Sequence, residues 1–164
     1  MCNVRAIQNA AFAKVYGVDF DLNVYFMSYF NFSVNLNWQH GTEELDNGKS
    51  SPLRHSPPFY GHFSLLYQRD NYKLNLYSYH SSSIKYENMP IVEIDKPEIY
   101  AIDNNGKPYC PDWWTLNFKA DYKLWNHIGF GFGIENILDK RYRPYSSGIV
   151  AAGRNFIFSI KYFN

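Results

Sequence analysis

Large apolar and polar side chains alternate one for one along most of this chain, the period of an extended strand with one apolar face. Tyr16, Val18, Phe20, Leu22, Val24 and Phe26 oppose Gly17, Asp19, Asp21, Asn23 and Tyr25, which predicts a strand beginning near Lys14. After the break Met27-Ser28-Tyr29, the residues Phe30, Phe32, Val34, Leu36 and Trp38 oppose Asn31, Ser33, Asn35, Asn37 and Gln39, predicting its hairpin partner. A weaker hairpin follows, with Phe59, Phe63, Leu65 and Tyr67 on one arm, turn residues from Gln68 to Asn71, and Tyr72, Leu74 and Leu76 on the other. Trp114 to Leu124, Ile128 to Ile134 and Phe156 to Tyr162 complete a set of about seven strands. In the sixth, Gly129, Gly131 and Gly133 leave one face nearly bare, which predicts close approach of a neighbour there. Leu22 to Thr42 carries no charge and is long enough for a membrane helix. Its polar residues fall at alternate positions, which would scatter them around a helix but gathers them on one face of a strand, so the helix is rejected.

The predicted connections alternate in length. They are short at 27–29, 68–71 and 125–127, and long at 41–58, 79–112 and 138–152. An all-β, antiparallel, up-and-down meander follows, with every long loop at one end. Transmembrane barrels show this asymmetry, whereas a soluble sandwich has no comparable reason for it. Aromatics near strand ends, such as Phe26, Tyr29, Phe30 and Trp38, fit an interfacial belt or ordinary packing.

Composition agrees with interleaved strands: 46% of the 164 residues are hydrophobic and 20% aromatic, yet mean hydropathy is −0.42. A net charge of +1 supplies no basic field for nucleic acid. Cys2 and Cys110 are too few for a disulfide framework and read as free thiols. The five histidines are dispersed without zinc spacing, no serine sits in a nucleophile elbow, and no glycine-rich loop opens a helix. No catalytic, cofactor or metal residue is therefore nominated, and an enzyme is not expected. Residues 1–13 lack the apolar core of a signal peptide and read as a loop or the end of a preceding strand, so this chain as written is not expected to be exported. Residues 14–164 read as one β unit.

Glu135-Asn136-Ile137-Leu138-Asp139-Lys140-Arg141-Tyr142-Arg143-Pro144-Tyr145, with Gly148 and Gly153-Arg154-Asn155-Phe156 after it, resembles the C-terminal end of TonB-dependent outer-membrane receptors. Tyr16-Gly17-Val18-Asp19 is similar to the Tyr-Gly-x-Glu motif opening a late barrel strand, with Asp19 in place of Glu. The segment holding Arg54 and Pro57 resembles the Arg-x-x-Pro lead into the next strand. Ala152 stands where the family has Pro before Gly153-Arg154, and Asn164 stands where an aromatic completes the last strand, a departure expected to weaken recognition by the barrel assembly machinery.

The resemblance implies the C-terminal part of a barrel of about 22 strands, with a plug and a TonB partner supplied outside this chain. It implies uptake of a scarce nutrient, a siderophore, cobalamin or glycan, and residence in the outer membrane, with no transport by this chain alone. Tyr16, Phe20, Phe32, Leu116, Phe130 and Phe158 are expected to face lipid, while Asp19, Asp21, Lys119, Asp121 and Lys123 face the lumen. Two other readings remain open at this point: a complete small outer-membrane barrel with a structural or adhesive role, and a soluble sandwich or lipocalin-like binder with the apolar face turned inward.

Overall fold

The computed structural model describes residues 12–163 apart from 46 and 126, with the backbone alone described at 97 and 125. Cys2, nearly all of the N-terminal segment and Asn164 lie outside the described residues, as do the expectations attached to them. The elements are β1 (Ala13–Phe26), β2 (Phe30–Glu44), β3 (Ser50–Pro52), β4 (Tyr60–Arg69), β5 (Tyr72–Ser81), α1 (Ile91–Ile94), β6 (Ala101–Ile102), β7 (Pro108–Tyr109), β8 (Trp113–Trp125), β9 (Ile128–Glu135) and β10 (Asn155–Tyr162). One antiparallel sheet runs β1-β2-β4-β5-β8-β9-β10, every neighbour in chain order, with β3 folded back on β2.

The register turns the sequence alternation into two chemically distinct faces. Val24, Phe32, Leu65, Leu76, Phe118, Ile134 and Phe156 line up as one row across all seven strands. On the other face Asn23, Ser33, Ser64, Tyr77 and Asn117 form an equally continuous row. A one-residue slip anywhere would exchange the faces, so the apolar pattern fixes the pairing.

None of the described residues covers the apolar face. Among the described residues the buried hydrophobics are Val34, Tyr77, Met89 and Cys110, while Phe20, Phe63, Leu65, Leu76, Phe130, Phe158 and Ile160 are exposed. The accessible area is 11800 Å², against roughly 8,500 Å² for a folded monomer of this mass. A sandwich or lipocalin would put this face against a second layer, yet the second sheet is only the β6-β7 pair. Nor do the described residues close a small barrel, because β1 and β10 are the two ends of the sheet and do not pair.

Polar groups on the opposite face satisfy one another across strands. Asn35 donates to Asp21, Asn37 to Asp19 and Lys161 to Asp121. Lys119 pairs with Glu135 at 3.4 Å, and Ser64 donates to Asn75 at 2.6 Å. The bare glycine face of β9 is filled from its flanking strands: a Cβ on Gly131 would lie 2.3 Å from Ser159 Oγ, and one on Gly129 would lie 3.0 Å from the Phe163 ring. Phe163 thus sits on the polar face, as the alternation requires.

Boundaries differ from the sequence expectation in three places. The β4-β5 turn is only Asp70-Asn71, because Arg69 still pairs with Tyr72, and Asp70 takes the left-handed backbone (φ 49°) that its short polar side chain tolerates. β2 and β5 run on to Glu44 and Ser81, so the long loops are 45–59, 82–112 and 136–154. The second of these holds α1 and the β6-β7 hairpin rather than irregular chain, since Asn104-Asn105-Gly106 supplies a turn in which Asp103 accepts from Asn105 and Lys107 at 2.8 Å each. All three long loops share one end of the sheet.

Candidate functional site

The third long loop is braced by one side chain. Asn136 is 4% exposed with φ 50°, and its own N–H donates to Asn117 Oδ1 on β8 at 2.8 Å. Its amide then donates to the Lys140 and Ala152 carbonyls at 2.9 and 3.1 Å and accepts from the Lys140 N–H at 2.9 Å. Asp139 closes the far side by accepting the Arg154 N–H at 2.8 Å, while Arg154 Nε donates to the Ile137 carbonyl at 2.9 Å. A Cβ at Gly153 would sit 2.7 Å from the Asp139 carboxylate, so a side chain here would have to displace the group that holds the Arg154 N–H. Tyr142 stacks on Trp113 with ring centroids 4.1 Å apart.

A second network joins all three loops. The side chain of Glu93, in α1 of the second loop, has no exposed surface. It pairs with Lys96 at 2.9 Å and accepts from the Tyr100 hydroxyl and, at 3.1 Å, from Ser146 Oγ of the third loop. Ser146 also lies 2.7 Å from Nδ1 of His55 in the first loop. The serine has one proton and gives it to Glu93, so the His55 ring nitrogen is the donor in that contact. Burial alone would raise the Glu93 carboxyl, but the hydrogen bonds from Tyr100, Lys96 and Ser146 outweigh it and hold the group below its ordinary value of 4.5. Burial and the neighbouring Glu93 raise the Tyr100 hydroxyl, and burial pushes the Cys110 thiol up to about 11, leaving it an inert packing group.

Because the folded state binds this proton more weakly than the unfolded chain, the Glu93 contribution is complete above 4.5 and disappears as pH falls through the lower folded value. Amide protection factors across residues 91–100, which remove the intrinsic pH dependence of exchange, are expected to fall on acidification, and Glu93→Gln to abolish that acid step while lowering protection at neutral pH.

Two cavities open between the loops. One, of about 370 Å³, is lined by aromatic and imidazole groups, among them Tyr60, Tyr79, Trp113 and Tyr145, together with His55, Pro57 and Ser146. The other, of about 570 Å³, carries Lys140, Arg141 and Arg143 with Glu98 and Asp112. Trp113 borders both.

The structure brings Glu135, Asn136, Asp139, Tyr142, Gly153 and Arg154 together in and beside the third loop. Tyr16, Gly17 and Asp19 lie apart on β1, where Tyr16 packs edge-on against Trp38 at 5.9 Å and a Cβ on Gly17 would meet the Trp38 carbonyl at 2.6 Å. Arg54 is exposed on the first loop and Pro57 borders the aromatic cavity. Sequence reasoning missed Glu93, whose one signal was a lone acid inside the apolar run Ile91-Val92-Glu93-Ile94. It also missed Tyr100 and Ser146 as its partners, and His55 behind Ser146.

Residues 3–137 match the family model described as TonB dependent receptor-like, beta-barrel. The chain belongs to that family. Its members are transport receptors rather than enzymes. No curated protein matches the sequence. Among solved structures, the copper transporter OprC superposes with a TM-score of 0.70 at 13% identity, covering 92% of this chain and 23% of that one. The siderophore receptor PiuA from Acinetobacter baumannii gives 0.62 at 16% identity, covering 92% and 22%. The ferric-catecholate import receptor Fiu from K12 E. coli gives 0.62 at 15%, covering 92% and 21%. This receptor-family chain thus spans less than a quarter of the length of these receptors, and at such identities they share its fold alone.

Proposed function

We propose that this chain forms part of the barrel wall of an outer-membrane receptor for active uptake of a scarce nutrient, a siderophore, cobalamin or glycan. The carrying observation is an open seven-stranded sheet whose apolar face is continuous and uncovered. In a hydrocarbon environment every backbone group needs an internal partner, so the free edges of β1 and β10 call for further strands of the same receptor. Tyr16, Phe20, Phe32, Leu116, Phe130 and Phe158 face lipid in this reading. Phe26 stacked on Phe30 at 5.3 Å, beside Tyr29 and Tyr67, supplies the aromatic belt at the short-turn end.

The polar face, with Asp19, Asp21, Lys119, Asp121 and Lys123, lines the lumen against a plug. TonB supplies the pull for release, and the barrel assembly machinery inserts the wall. The motif residues around Asn136 brace an external loop rather than touch cargo. The test is extraction: the protein is expected to stay in outer-membrane pellets through an alkaline wash and to leave only in detergent. A detergent-free monomer with a cooperative melt overturns the reading.

A further inference from the structure

The aromatic cavity at the loop end differs from its neighbour in charge. Its lining holds no lysine, arginine, aspartate or glutamate, whereas Lys140, Arg141, Arg143, Glu98 and Asp112 all fall on the second cavity. Tyr60 and Tyr79 are 46% and 47% exposed. Around them stand Trp113, Tyr145 and His55, groups that combine a flat apolar surface with a hydrogen-bonding edge. A volume of about 370 Å³ lies within the range of small-ligand sites.

An anionic metal chelate asks for cations, and this lining offers none. A purely apolar ligand would strand the hydroxyl and imidazole groups. A sugar ring answers both conditions: its axial C–H faces stack on aromatic rings, and its equatorial hydroxyls meet polar edges while carrying no charge. The Glu93 network gives the cavity a fixed wall, since it ties His55 to Ser146 and both border the space.

We propose that this cavity binds a pyranose ring of a neutral oligosaccharide, which, if the uptake reading above holds, points to a glycan among the cargo classes named there. The complete receptor that carries this chain, purified in detergent, is titrated by calorimetry with maltohexaose, cellohexaose and a mannan hexasaccharide, and separately with ferric citrate. Saturable binding of at least one neutral hexasaccharide is expected, weakened about tenfold by Tyr60→Ala through loss of one stacking ring. Tyr60→Phe, which keeps the ring, retains most of the affinity and shows that the alanine effect is stacking. Binding of ferric citrate that neutral sugars fail to displace, no saturable binding of any hexasaccharide, or equal affinity in Tyr60→Ala each overturns the proposal. Membrane extraction of the same preparation judges the receptor reading separately, so a true outer-membrane receptor that ignores sugars refutes the ligand class alone.

Discussion

Leu65→Arg is expected to cost about 2–4 kcal/mol of folding free energy in a bilayer and to lower outer-membrane yield sharply, while Leu66→Arg should cost less than about 1 kcal/mol. The two substitutions are chemically identical and adjacent on β4. Leu65 lies in the apolar row between Phe32 and Leu76, close to mid-strand. A guanidinium there replaces an aliphatic group in hydrocarbon and has no polar neighbour in its row. Leu66 lies on the other face, paired with Asn31 and Asn75, where a cation meets polar groups and water. Urea unfolding in lipid vesicles, with blotting of outer-membrane fractions, measures both. Equal penalties would mean that the apolar face is not against lipid. Gly131 is unsuitable as the polar-face control, because Ser159 and Asp121 already occupy the space a side chain would need.

Asn136→Ala is expected to destabilise the folded protein by about 2–4 kcal/mol. Three hydrogen bonds disappear with the amide, and the Lys140 N–H and the Lys140 and Ala152 carbonyls lose their partner in a site that is 4% exposed. Alanine also resists the left-handed backbone at φ 50°, which adds about 1 kcal/mol. Asn136→Gly separates the two causes, since glycine accepts that backbone but restores no bond. Denaturant unfolding of the three proteins should place glycine between wild type and alanine. A glycine variant as stable as wild type would show that the amide does not brace the loop.

The fold was legible in the sequence where a period of two gives a sheet two chemically distinct faces. Phe30 through Trp38 against Asn31 through Gln39 specifies both strand and face, and a slip would bury asparagine in an apolar row. The placement of long loops at one end followed from counting connections. The site was less legible. The Glu135 to Arg154 segment stood out as a motif, but its residues gave no hint that Asn136 would reach the Ala152 carbonyl or that Asp139 would hold the Arg154 N–H.

Glu93 was not legible at all, because its network draws on three loops, with His55 and Ser146 separated by 91 residues. What the sequence by itself determined is everything carried by local alternation: seven strands, their faces, their antiparallel order and the family they belong to. What only the tertiary structure decided is which loop side chains meet, that the glycine face of β9 is filled by Ser159, Asp121 and Phe163, and that the sheet stays open with its apolar face bare. The reason is physical. Strand patterning acts between near neighbours with a fixed period, whereas loop contacts depend on chain paths that no period constrains.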